Sequence, residues 1–310
     1  MASTATASTR SWQASKRWAA GGYLQIAAAA LCWGFAASFA KFLFIQRVEP
    51  LTLAQLRSSV SFLLLLAFAL ARRPAMLRAT PADAFGLALL GVCGIAASNF
   101  TYLMAIHRSN VTTAILIQYT APIWVMLFGA LFLGDRLTPR RGMATALAFS
   151  GCLLAVGAYR GSELDWNPAG VAWALAAAFS FSFFNIWGAR MARRVPLWTS
   201  LLYALGAATI FWALVNSPLR LIEAGHSARQ WAMFFVYAVV SILLPFSLFY
   251  SGLRRLPATH AIVTSTLEPP FAILFAFLLV GEHLGALQLV GVAAVLAAVI
   301  LLQRSGTSGE

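Results

Sequence analysis

Ten apolar stretches, each close to the length of a membrane-crossing helix, follow one another along this chain. They fall at about 22–44, 51–71, 83–106, 111–133, 140–159, 168–190, 196–216, 230–253, 257–280 and 284–303. A bilayer core of about 30 Å needs about 20 helical residues. Backbone groups find no water there, so a helix that satisfies its own N–H and C=O groups is the favoured way across. The gaps hold breakers and charges: Arg72-Arg73-Pro74, Gly134-Asp135-Arg136, Asp165 through Pro168, Arg193-Arg194-Val195-Pro196 and Arg254-Arg255-Leu256-Pro257. Charged residues are only 10% of the chain, against about 25% in a soluble domain. The expected fold is all-α and integral to the membrane, with ten transmembrane helices and the lipid bilayer as its main solvent.

The net charge of +13 raises a nucleic-acid reading. The arginines, however, sit singly or in short clusters between the apolar stretches, where a membrane protein uses them for orientation. Nucleic acid is therefore excluded as a partner. With a cytoplasmic N-terminus, the inner gaps would hold 15 Lys and Arg and the outer gaps five, while Lys41 and Arg57 lie within helices. That bias puts both termini in the cytoplasm, in a multi-pass protein of the cell's inner (plasma) membrane. The tail, 1–20, is rich in Ser, Thr and Ala and carries Arg10, Lys16 and Arg17. Its composition also fits an organellar transit peptide; it is read here as a disordered basic tail. Cys32, Cys93 and Cys152 have neither disulfide nor zinc spacing and read as small packing residues.

An internal repeat organises the rest. Shifted by 147 residues, 102–137 and 249–284 agree at ten of 36 positions, among them Pro122/Pro269, Gly134/Gly281 and Leu137/Leu284. Asp135 and Glu282 match in charge. Each unit holds five helices, an odd number, so the second starts on the opposite side of the membrane from the first. The expected domains are 21–160 (helices 1–5) and 166–304 (helices 6–10), as two inverted five-helix repeats. Such repeats are common in secondary transporters, with the substrate site near the midplane between them.

The pattern Trp33-Gly34, Lys41, Pro50, Arg57, Tyr102, Ala105, Pro122, Gly134-Asp135-Arg136-Leu137, Gly142, Gly151, Glu268-Pro269 and Gly281-Glu282-His283-Leu284 resembles the drug/metabolite transporter superfamily, in its ten-helix EamA type. The resemblance spans nearly all of 22–303. The chain departs from the pattern at Gly134-Asp135, where the family usually has Gly-Glu, and at Phe181-Ser182, where a second Trp-Gly would stand. The resemblance implies a cavity lined mainly by helices 1–4 and 6–9, with helices 5 and 10 peripheral. It also implies transport of a small organic metabolite, often outward.

Candidate site residues follow from polarity at depth. Glu268 is the one acidic residue deep in a helix. Insertion scales put an Asp at the helix centre at about +2.5–3.5 kcal/mol, so a Glu there needs a reason: a proton to carry, a substrate amine to meet, or free carbonyls to clamp. Pro122, Pro269 and Pro270 are candidate hinges, since proline deletes a helix hydrogen bond and kinks the axis. The carbonyls they free would belong to Gln118, Ser265 and Thr266, which makes Gln118, Tyr119 and Ser265 candidate cavity groups. Asn99 and Tyr102 share a face of helix 3, and Asn185 is a lone amide in helix 6. Trp124 could stack on a ligand or simply pack. Lys41 and Arg57 could attract a substrate carboxylate, or in the case of Lys41 snorkel to the interface. The four histidines have no metal spacing, and no cofactor is expected.

The reading is a secondary transporter of a small organic metabolite, such as an amino acid or related amphiphile, working by alternating access. Protons as coupling ion and a homodimer are both compatible with it. The alternatives are an integral membrane enzyme, for which no His cluster or paired carboxylates are found, and a structural or lipid-interacting membrane protein, which would lack a polar lining. No phosphate-binding loop supports primary pumping.

Overall fold

The structure is a computed structural model that describes residues 2–109, 111–132, 134, 137–159, 164–280 and 285–305. The helices are α1 Ala2–Ile45, α2 Pro50–Arg72, α3 Pro81–Arg108, α4 Val111–Gln118, α5 Ala121–Phe132, α6 Pro139–Ala155, α7 Pro168–Arg194, α8 Leu197–Val215, α9 Pro218–Glu223, α10 Ala228–Leu253, α11 Ala258–Ser265, α12 Glu268–Val280 and α13 Ala286–Ser305. Several starts share one device. Thr80, Thr138 and Asn167 cap the backbone N–H groups that follow, and each precedes a proline at the first helical position. The cap satisfies an orphan donor, and proline has no N–H to leave unsatisfied.

Among the described residues, eight stretches are long and apolar enough to cross a bilayer. The other two of the ten expected correspond to α6, which has 17 residues, and to the broken pair α11–α12. Large apolar side chains point outward, with Leu131 74% and Leu214 83% exposed, while Ala144, Ala148 and Ala174 are fully buried. Small residues inside and large ones facing the solvent suit a protein whose solvent is lipid.

One expectation is corrected. Where a disordered tail was read over 1–20, α1 is already helical from Ala2. Alanine is the strongest helix former, and no proline precedes Pro50 to stop the helix.

The two halves carry matching irregularities. α4 ends at Gln118 and α5 restarts at Ala121; α11 ends at Ser265 and α12 restarts at Glu268, in both cases 147 residues on. α3 and α10 each pass through a π-helical segment, Leu90–Ala96 and Val239–Leu243. The expected kinks at Pro122 and Pro269 are full breaks. Tight turns, Thr120 N–H to Ile117 C=O at 3.0 Å and Leu267 N–H to Thr264 C=O at 3.2 Å, close one helix before the next begins. The prolines then sit in a first turn, where a missing N–H costs nothing.

α6 and α13 cross at glycine. A Cβ on Gly291 would lie 2.4 Å from the Ala155 nitrogen and 2.6 Å from the Gly151 oxygen. This pair stands where helices 5 and 10 were expected as periphery. At the end of the bundle that carries Arg72, Arg193 and Arg254, here the basic end, polar bonds join the halves. Tyr23 bonds His260, Asp83 pairs with Arg194 at 3.0 Å, Trp187 donates to the Gly86 carbonyl at 2.8 Å, and Tyr203 donates to the Leu77 carbonyl at 2.9 Å.

Candidate functional site

A cavity of about 510 Å³ opens between the halves. Its lining runs from mid-bundle toward the end opposite the basic one: Trp33 and Ala40 on α1, Arg57 on α2, Asn99 and Tyr102 on α3, Gln118 at the end of α4, and Glu268 and Ala272 on α12. From α7 and α10 come Phe181, Phe184, Tyr237, Ser241 and Phe246. Val156, just past α6, also touches it, whereas α8 supplies no lining residue. The expectation of helices 1–4 and 6–9 thus holds apart from helix 7, and helix 5 reaches the cavity at its end.

Glu268 is positioned by the break that precedes it. It is the first residue of α12, so its carboxylate stands at a helix N-terminus, where the backbone dipole favours negative charge. Cys152 Sγ reaches the freed Thr266 carbonyl at 3.9 Å. Arg57 is oriented by Asn99. The guanidinium donates to Asn99 Oδ1, and Asn99 Nδ2 donates in turn to the Ile95 carbonyl at 2.6 Å, inside the π-helical segment of α3. π-segments often mark functional sites because they leave backbone groups outside the regular ladder. Arg57 and Glu268 line the same cavity, and no ion pair joins them among the described residues. One cavity therefore holds a cation and a carboxylate with space between them.

The structure brings Arg57, Asn99, Tyr102, Gln118, Tyr119, Glu268 and Pro269 to this cavity. It places other candidates elsewhere. Trp124 donates to Thr120 Oγ1 at 3.0 Å and packs on Phe179 at 4.6 Å between ring centroids. Asn185 is fully buried and donates to the Phe181 carbonyl at 2.8 Å. Ser265 is buried and bonds back to the Ile262 carbonyl at 2.8 Å. Pro122 and Pro270, expected as hinges and not as lining, are buried in the first turns of α5 and α12, outside the cavity. The Lys41 side chain lies outside the described residues. Asn185 and Ser265 share a cause: a helix surrounded by other helices buries polar groups on faces that do not border the cavity, where they bond to their own backbone. The sequence reading passed over Ser241, Tyr237 and Phe246. Ser241 could have been noticed as a polar residue in the middle of the apolar run of α10.

A bundle of apolar helices around a charged internal cavity defines a multi-pass membrane transporter. The chain belongs to the EamA-like transporter family, whose profile matches it over residues 20–157 and again over 168–304. It is similar to YicL of Salmonella typhimurium, named an uncharacterized inner membrane transporter, at 26% identity over 91% of this chain and 94% of that protein. It is also similar to the threonine/homoserine exporter RhtA of Escherichia coli, at 28% identity over 84% of each chain. A solved structure with 20% identity shares the fold, at a TM-score of 0.76 over 93% of this chain and 98% of that one.

Proposed function

We propose that this transporter moves small zwitterionic metabolites of the amino-acid type across the cell's inner membrane by alternating access, in the outward direction. The observation that carries the reading is the shared cavity of Arg57 and Glu268, a guanidinium and a carboxyl group with no ion pair between them. A guanidinium presents a fork of N–H donors that fits a carboxylate. A carboxylate at the head of α12 accepts from an ammonium group. Tyr102, Tyr119 and Gln118 add donors and acceptors between them. A cavity of about 510 Å³ falls in the size range of small-molecule sites. The relative named a threonine/homoserine exporter supports the same substrate class.

In this proposal the basic end faces the cytoplasm, so the cavity lies toward the outside and the described state is outward-facing. Glu268 is the group that exchanges a proton for the substrate amine as the carrier cycles.

Uptake into proteoliposomes tests the reading. An amino acid, its decarboxylated amine and its deaminated acid are compared, with and without a pH gradient. The zwitterion alone is expected to be carried well. In Arg57→Ala its KM should rise at least tenfold while the protein still folds. Equal transport of amine and zwitterion, or an unchanged KM in Arg57→Ala, would refute the assignment.

A further inference from the structure

We infer that Ser241 is a specificity-determining residue that hydrogen-bonds the substrate's side chain, so that the cavity selects amino acids with a small polar side chain over their apolar isosteres. This rests on the amino-acid reading above.

Ser241 is 1% exposed, yet it lines the cavity, and its Oγ has no hydrogen-bond partner. That is unusual within the chain. Ser58, Thr101, Ser182, Thr209, Ser247 and Thr264 each donate to the carbonyl one turn earlier on their own helix. Such back-bonding is the ordinary fate of a hydroxyl in a membrane helix. Ser241 lies in the π-helical segment of α10, where the ladder is widened and the usual register is lost. The Ala238 carbonyl, three residues earlier, accepts from Ser61 Oγ at 3.1 Å and not from Ser241. A buried hydroxyl left unpaired is costly; Tyr250 Oη and Trp212 Nε1 are also buried and unpaired, but of the three only Ser241 belongs to a residue that lines the cavity, from which a partner can come.

The same contact fixes the depth of Ser241. Ser61 is one turn beyond Arg57 on α2, and its partner Ala238 is three residues before Ser241 on α10. Ser241 therefore lies closer to the basic end than Arg57 does. A zwitterion held at Arg57 and Glu268 directs its side chain inward toward Ser241. The walls there are Phe184 and Phe246, with ring centroids 5.3 Å apart, and Trp33, 5.6 Å from Phe246. Three aromatic rings and one unpaired hydroxyl share the cavity lining, which leaves an apolar wall with a single polar demand. A side chain with a hydroxyl near Cα meets it, and a branched aliphatic one of equal size leaves Ser241 unpaired.

Threonine and valine are the probes, since they differ only by hydroxyl against methyl. Each is used to compete for transport into proteoliposomes, and each is titrated against the protein's thermal unfolding midpoint as a readout independent of turnover. Wild type is expected to prefer threonine by about tenfold, the scale of one buried hydrogen bond. Ser241→Ala should bring the ratio close to one, and Ser241→Thr, which keeps the hydroxyl, should retain a preference. If both amino acids are carried but Ser241→Ala leaves the ratio unchanged, the inference fails and the broader reading stands. If wild type neither carries nor is stabilised by any zwitterion, both fall.

Discussion

Replacing Gly291 by alanine adds one carbon at the tightest point between α6 and α13. That carbon would sit 2.4 Å from the Ala155 nitrogen and 2.6 Å from the Gly151 oxygen. Both are backbone atoms, so no rotamer change can relieve the clash. The two helices must separate by roughly an ångström, which loses contacts on both sides of the seam. Overpacking of this kind costs about 1–3 kcal/mol, a shift of about five- to 150-fold in the folding equilibrium. The neighbouring positions provide an internal scale. A Cβ on Gly151 would meet the Val295 nitrogen at 2.8 Å and the Gly291 oxygen at 2.9 Å, a milder clash, while one on Gly142 would meet nothing within 4 Å. The expected order of damage is Gly291→Ala, then Gly151→Ala, with Gly142→Ala neutral or slightly stabilising. Equilibrium unfolding in mixed detergent micelles, followed by tryptophan fluorescence, measures it; the ten tryptophans include the fully buried Trp212. A Gly291→Ala protein as stable as Gly142→Ala would show that this crossing does not hold the scaffold together.

Three further outcomes are expected. Glu268→Gln keeps the shape of the side chain but cannot exchange a proton; it should abolish pH-driven transport in a protein that still inserts and folds, and a wild-type rate with an unchanged pH profile would count against Glu268 as the proton carrier. A reporter active only in the cytoplasm, fused after Glu310, should be active, and an expressed but silent fusion would reverse the proposed orientation. Ala148→Leu, at a fully buried position on α6, should lower stability by about 1–3 kcal/mol, whereas Ala297→Leu on α13 faces outward and should be silent in the same unfolding assay.

Much of this arrangement was legible in the chain because the bilayer permits few solutions. Apolar stretches of helix length, the offset of 147 and the paired prolines all lead to the observed irregularities. Glu268 and Arg57 stood out because charge at depth is costly. What was not legible is which face of a fully surrounded helix borders the cavity. Asn185 and Ser265 are as polar and as deep as Asn99, but they look toward packed helices. Hydrophobic periodicity cannot separate two buried faces. Ser241 was missed for a related reason: a serine in an apolar helix usually bonds its own backbone, and only the π-helical register of α10 takes that option away. On the last helix Ala293 and Ala297 are exposed, whereas Ala298 is buried and Gly291 is the residue that meets α6.

The bonds that seal the basic end limit how fast such a carrier can work. Tyr23 with His260, Asp83 with Arg194, and the two ring donors to backbone carbonyls would all have to break before the cavity could open toward that end. At about 0.5–1.5 kcal/mol net for each contact, they act as a latch worth a few kcal/mol. A cycling carrier needs both states within a few kcal/mol of each other, so the opposite mouth must recover most of that energy as it shuts. The groups positioned to supply it are those around Glu268, whose proton is the load on the inward return of an exporter. On the alternating-access proposal an empty, unprotonated carrier therefore stays latched, and one that has exchanged its cargo for a proton turns over. Loosening the latch, for example with Tyr23→Phe, would produce a protein that flips while empty and dissipates the gradient that drives it.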